Sequence, residues 1–311
     1  MNFNASRRAS LQLLAMTALQ PAMVAAAAAA AEPAAAPVLK VVATFSILAD
    51  MAREVGGSAV EVSALVGPNA DAHVYEPTPA DVRRVARADV VVTNGLRFEG
   101  WIDRLIASSG YRGKVVVASA GIVPLQVGGG ADPHAWQSLV NGQRYAETIR
   151  AALVAAAPAR TAEINERAAA YQERLIALDQ DTRSRIAALP ESRRRVITSH
   201  DAFGYFAAAY GVRFIAPRGW TTGSEPSAET VARIVRQARQ TQASALLVEN
   251  ISDPRMIERI AREAQVKVGG ELYSDALSPP GTAADTYLRM FEHNVRTLLD
   301  AMTPAKISDS R

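Results

Sequence analysis

The 311-residue chain has no cysteine, four histidines and four lysines, and only 6% of its side chains are aromatic. With no cysteine there can be no disulfide framework, so stability has to come from packing, and no residue is present to carry the lipid of a lipoprotein. The scarcity of aromatics counts against a cleft walled for organic solutes. Arginine supplies nearly all the positive charge. Setting aside the first 31 residues, which hold Arg7 and Arg8 and no acids, leaves 32 basic against 31 acidic side chains. The arginines are scattered along helix-like segments, so there is no basic patch and nucleic acid is not an expected partner. Mean hydropathy near zero argues against a polytopic membrane protein and for a soluble one.

The one long apolar run lies at the N-terminus. Arg7 and Arg8 precede Leu11, Leu13, Leu14 and Met16, and an alanine tract then offers A-x-A cleavage points near Ala29 to Ala31. Residues 1–31 are therefore expected to be an export signal, with Pro21 and the small alanines counting against a retained membrane anchor. Ser6 to Leu11 partly match a twin-arginine signal, with Ser10 where phenylalanine is usual, so both Sec and twin-arginine export stay open. A free periplasmic protein, expected to be a monomer, is the result.

From Leu39 onward, short β-branched runs alternate with segments of helical period: LKVVAT, VEVSALV, DVVVTN and KVVVAS, each with a helix-like stretch after it. The rhythm returns after residue 192 in RRVITS, VRFIA, ALLVEN and KVGGEL. Runs such as VVV and LLV, with no polar alternation, are typical of parallel strands covered on both faces. The expected fold is α/β with two lobes, 32–157 and 191–311, each a parallel sheet of about four strands flanked by helices. Residues 158–190, bracketed by Pro158 and Pro190 and free of internal Gly or Pro, read as one stiff linking helix of about 45 Å. A helical hairpin broken near Asp179 is the alternative.

Open α/β sheets bind ligands beyond the carboxyl ends of their strands. Three histidines obey that rule: His73 after VEVSALV, His134 after KVVVAS and His200 after RRVITS. His293, among Met290, Phe291 and Val295 of the last helical segment, reads as an ordinary helix residue. Asp275 follows the last strand in ELYSDALSPP and would complete three imidazoles and one carboxylate, two from each lobe, a suitable closed set for a divalent transition metal. Asp132 and Asp201 either orient the neighbouring imidazoles or cap helices. Glu249 and Glu76 are further candidates for support, and Trp136 and Tyr75 for packing the cleft walls.

The segments DAHVYEPTPADVRRVARADVVVTNG, DPHAW, SHDAFGYFAAAYG, NISDPRMIERIAREA and LYSDALSP, with the long central helix, resemble the metal-binding proteins of bacterial ABC importers, the ZnuA-like and TroA-like zinc and manganese group. The likeness covers essentially the whole mature chain. It implies a cargo ion held at positions matching His73, His134, His200 and Asp275, an ABC importer membrane permease as partner, and a metallochaperone as a further candidate. It also implies that histidine at the third position marks zinc-type members, where manganese-type members often have glutamate. The chain departs from many zinc-uptake members in having no histidine-rich acidic loop, which leaves manganese open as the alternative to Zn²⁺. An exported zinc hydrolase using the same histidines, with Glu249 or Asp201 as base, is the rival from another class; HExxH is absent, and a fourth protein ligand would close the site to water. No enzyme activity is expected.

Overall fold

The computed structural model describes residues 37–303 apart from 217–226 and 242; the expected export signal lies outside the described residues. Residues 37–303 belong to one compact unit. Its first half alternates β1 (Leu39–Phe45), α1 (Ser46–Gly56), β2 (Val60–Val66), α2 (Pro79–Ala86), β3 (Val90–Thr93), α3 (Ile102–Ser109) and β4 (Lys114–Val117). A small hairpin, β5 (Gln126–Val127) and β6 (Gly130–Ala131), precedes α4 (Leu139–Ala156) and the linking helix α5 (Thr161–Ala187). The second half runs β7 (Arg195–Ile197), α6 (Gly204–Tyr210), β8 (Arg213–Ile215), α7 (Ala228–Thr241), β9 (Ala245–Glu249), α8 (Pro254–Ala264), β10 (Val268–Leu272) and α9 (Tyr287–Met302).

The strands form two parallel four-stranded sheets, β2-β1-β3-β4 and β10-β9-β7-β8, as the β-branched runs predict. In each, strand order reverses beside the first strand of that half, which opens a crevice at the carboxyl edge. Local chemistry sets the helix starts. Thr78 and Asp81 form a reciprocal capping box around Pro79 at the head of α2, and Asp253 with Pro254 starts α8.

The linking helix is unbroken over 27 residues, about 40 Å. Pro158–Arg160 form a separate single turn before it, so the helix is slightly shorter than the bracketing prolines suggest. No break occurs near Asp179, which lies on the buried stripe Ile164, Ala168, Tyr171, Leu175, Asp179, Thr182 and Ile186. Its carboxylate accepts hydrogen bonds from Tyr210 Oη (2.8 Å) and Arg183 Nε (2.7 Å), so a charged residue sits on that stripe without interrupting the helix. The β5–β6 hairpin goes beyond the sequence expectation; Gly128 and Gly129, with φ of 60° and 84°, make its tight turn.

Apolar packing divides unequally. One large cluster runs from the first sheet through α4, α5, α6 and α9 to Val196, Ala245, Leu247 and Leu272 of the second sheet. A separate cluster fills the opposite face of the second sheet, where Ile197, Leu246 and Val248 meet Ile234, Ile257 and Ile260. Among the described residues no helix is long and apolar enough to cross a membrane.

Neighbouring positions on α5 test this packing. Leu175 is fully buried and Ile176 is 42% exposed. Leu175→Ala is expected to lower unfolding free energy by about 2–5 kcal/mol and Ile176→Ala by less than about 1 kcal/mol, read by urea denaturation; equal losses would mean that α5 is not docked on this face.

Candidate metal centre

His73 lies on the loop between β2 and α2, His134 opens the turn before α4, His200 follows β7 and Asp275 follows β10. The fold brings all four together, with one donor atom from each within 4.8 Å of the others. His73 Nε2 is 3.2 Å from His134 Nε2 and 3.2 Å from Asp275 Oδ2. His200 Nε2 is also 3.2 Å from that oxygen, and His134 Nε2 is 3.7 Å away.

Each imidazole is held from behind. The Asp71 carboxylate accepts from the His73 backbone N–H (2.8 Å), and Phe98 meets the ring edge-on at a centroid distance of 4.6 Å. Asp132 Oδ1 accepts from the His134 backbone N–H (3.0 Å) and lies 2.8 Å from Nδ1 of the same ring. The other oxygen of Asp132 fills the space beside Gly204, where an added Cβ would stand 2.6 Å from it, so α6 can approach only because it opens on glycine. Glu249 Oε2 lies 2.6 Å from His200 Nδ1, and its Oε1 accepts from the His200 backbone N–H (2.9 Å) and Ser199 Oγ (2.7 Å). Strand alternation delivers Glu249 to this face: Ala245 and Leu247 point the same way, while Leu246 and Val248 belong to the opposite cluster.

The other candidates fare differently. Of the two acids expected to orient a ring or cap a helix, Asp132 lies against a ring and Asp201 is exposed; Glu249 supports a ring and Glu76 is exposed. Trp136 is fully buried against His134 and Phe98, whereas Tyr75 packs on Trp101 and donates to Asp81 (2.8 Å). His293 lies outside the centre, 3.1 Å from the Glu271 carbonyl through Nε2. Sequence reasoning missed Asn94, whose amide donates to the Pro133 carbonyl (2.9 Å) and accepts from Tyr145 Oη (2.6 Å), steadying the loop that carries His134. Buried Glu99 accepts from the Asn94 backbone N–H (2.6 Å). A polar residue at the carboxyl end of β3, in TNG, was the available signal.

Burial and charge oppose each other here. Burial favours neutral His200, but the carboxylates of Glu249 and Asp275 outweigh it and hold the pKa well above the ordinary 6.5. His73 is raised too: burial acts against its charge, and Asp275 overcomes it. Burial would raise Asp275, yet His134 and His200 hold it well below the usual carboxylate range. Asp275 is fully buried with no hydrogen-bond donor on either oxygen, and three imidazole nitrogens face it. With Nδ1 of His134 and His200 turned to carboxylates, the tautomer that fits directs the Nε2 lone pairs inward. The arrangement can take protons on the imidazoles or exchange them for one divalent cation.

A family model described as zinc-uptake complex component A, periplasmic (ZnuA), matches residues 41–301. The manganese-binding lipoprotein MntA of Bacillus subtilis (strain 168) is 33% identical over 274 residues, covering 85% of this chain and 90% of the relative. The iron-binding protein YfeA of Yersinia pestis is 32% identical over 266 residues, covering 83% and 85%. Among solved structures, the periplasmic zinc-binding protein TroA from Treponema pallidum superposes with a TM-score of 0.82 at 31% identity, covering 86% of this chain and all of that one.

In the metal-free protein the raised His200 pKa carries a stability consequence. Protonated His200 contributes stability fully below its unfolded pKa, near 6.5, and that contribution is lost as pH rises through the higher folded value. In chelator-treated protein, NMR titration should show His200 titrating above 6.5, and Glu249→Gln should lower that midpoint by removing the nearest negative charge. An unchanged midpoint would remove Glu249 as the cause.

Proposed function

Since the chain belongs to the ZnuA family, the periplasmic metal-binding proteins of ABC importers, we propose that its cargo is Zn²⁺, held by His73, His134, His200 and Asp275. Proteins of this family work with the membrane permease and ATPase components of their importer, to which the cargo would be delivered. In our reading the ion sits between lobes 32–157 and 191–311, joined by 158–190, after export to the periplasm.

The observation that carries the proposal is the donor set. Zinc bonds of about 2.0–2.1 Å to a tetrahedron of donors give edges of about 3.4 Å; four of the six donor separations, 3.2, 3.2, 3.2 and 3.7 Å, lie around that value, and all six are within 4.8 Å. Three borderline nitrogen donors and one carboxylate suit Zn²⁺, whereas Mn²⁺ binds most weakly of the first-row divalent transition metals to a given site and favours oxygen. Relatives of similar identity are named for manganese and iron, and the matched structure for zinc, so likeness alone does not choose the metal. Four protein donors also leave no tetrahedral position for a hydrolytic water, which favours carriage over catalysis.

Binding and protonation compete for the same imidazole nitrogens, so affinity falls as pH falls. Because His73 and His200 are raised, the decline should begin above pH 6.5. Competitive chelator titration across pH should show it, together with a stoichiometry of one; constant affinity from pH 8 to 6 would exclude these histidines as ligands. His134→Ala should bind far more weakly and His293→Ala as the native chain does.

His200→Glu exchanges a nitrogen donor for one or two oxygens and adds a negative charge. The zinc-over-manganese affinity ratio is expected to narrow at least about tenfold, roughly 1.4 kcal/mol, mainly through weaker zinc binding. Competition between the two metals, with folding checked by circular dichroism, measures it; an unchanged ratio in a folded variant would place His200 outside the donor set.

A further inference from the structure

Asp275 comes from the second half of the chain, and Asn294 of α9 holds Tyr273 through both its N–H (2.9 Å) and its carbonyl (2.7 Å), yet the backbone from Ser274 to Leu277 is held mainly by the first half. The Ser274 carbonyl accepts from Gln137 Nε2 (2.7 Å) and from Trp136 Nε1 (2.9 Å). Two residues beyond Asp275, the Leu277 N–H donates to Ser46 Oγ (2.9 Å), and the Leu277 carbonyl accepts from the Asn69 N–H (3.0 Å). Between them, the Ala276 carbonyl takes Asn250 Nδ2 (3.2 Å), a tie to the second sheet whose amide also reaches Asn69 (3.0 Å). Trp136 and Gln137 end the single turn that His134 opens, and the Gln137 N–H returns to the His134 carbonyl (3.1 Å). One turn thus carries one donor of the centre and grips the peptide leading into another.

Gln137 is fully buried, and its Oε1 has no hydrogen-bond partner. A buried amide satisfied at one end only is unfavourable for stability, and an apolar side chain of similar length would avoid that cost. Such a side chain could not supply the second donor to Ser274. A carbonyl with one donor can pivot about that bond; with both lone pairs engaged, its plane is fixed. That plane is the Ser274–Asp275 peptide, so its orientation sets the direction in which the Asp275 side chain leaves the backbone.

We infer that Gln137 is a positioning residue for Asp275, acting through the Ser274 carbonyl to fix the span between the His134 and Asp275 donors. The inference rests on the proposed ligand set. Gln137→Met keeps the length, removes the donor and leaves Trp136 on the carbonyl. Zinc affinity, read by competition with a chromophoric chelator, is expected to fall about tenfold, the lower end of what loss of an outer partner costs a metal site. In an Asp275→Ala background the same substitution should cost nothing further, because Gln137 acts only through that carboxylate. A merely structural role would give the same loss in both backgrounds, and either that result or no loss in the native background overturns the inference. If Asp275→Ala alone leaves zinc affinity intact, the ligand assignment fails as well, which is a distinct result. Should Gln137→Met not fold, Trp136→Phe removes the other donor from the same carbonyl and is judged by the same cycle.

Discussion

The structure is organised around a carboxylate that has lost its water. Asp275 is fully buried, neither oxygen has a hydrogen-bond donor, and three imidazoles surround it. A bare carboxylate in that position would be strongly destabilising, so positive charge has to be present at every stage. Protons on His73 and His200, both held above the ordinary imidazole pKa, would provide it in the metal-free protein, and a cation bound there would replace them. Asp132 and Glu249, behind two of the rings, fix which nitrogen faces inward, and Glu249 also favours positive charge on His200.

The two parallel sheets make this possible by presenting their carboxyl ends to a common place. His200 and Glu249 come from β7 and β9, the pair of strands at which the second sheet reverses its order. The linking helix contributes indirectly: its buried stripe reaches α6 through the bond between Asp179 and Tyr210, and α6 in turn reaches the His134 loop through Tyr205, whose hydroxyl donates to the Asp132 carbonyl (3.0 Å). The large apolar cluster extends from the first sheet to one face of the second. The two halves of the chain therefore share packing as well as the cluster of His73, His134, His200 and Asp275.

Much of this was legible from residue order. Uninterrupted β-branched runs announced parallel strands, and histidines immediately after such runs pointed to the strand ends where the centre lies. Asp275 was visible for the same reason. What stayed hidden depends on partners distant in sequence. Nothing near Gln137 or Asn94 shows that one amide reaches Ser274 and the other Pro133. The choice of Asp132 over Asp201, and of Glu249 over Glu76, turns on which carboxylate the fold buries beside a ring. The β5–β6 hairpin escaped because two-residue strands carry no periodicity, although its paired glycines were in plain view.

The cluster on the far face of the second sheet has a kinetic meaning. Helices α7 and α8 pack there on Ile197, Leu246 and Val248, residues that belong to that cluster and not to the large one. A layer with its own small apolar contact can open without dissolving the rest, so amide hydrogens in α7 and α8 are free to exchange through sub-global openings of lower free energy than global unfolding. Val196 belongs to the large cluster and Glu249 alternates onto the same side as Leu247, while Ser199, which donates to Glu249 (2.7 Å), also meets Ser252 on the loop before α8 (2.9 Å). Packing of this kind would let the outer face of the second lobe open while the shared interior stays closed, and proteases acting during such openings would meet α7 and α8 first.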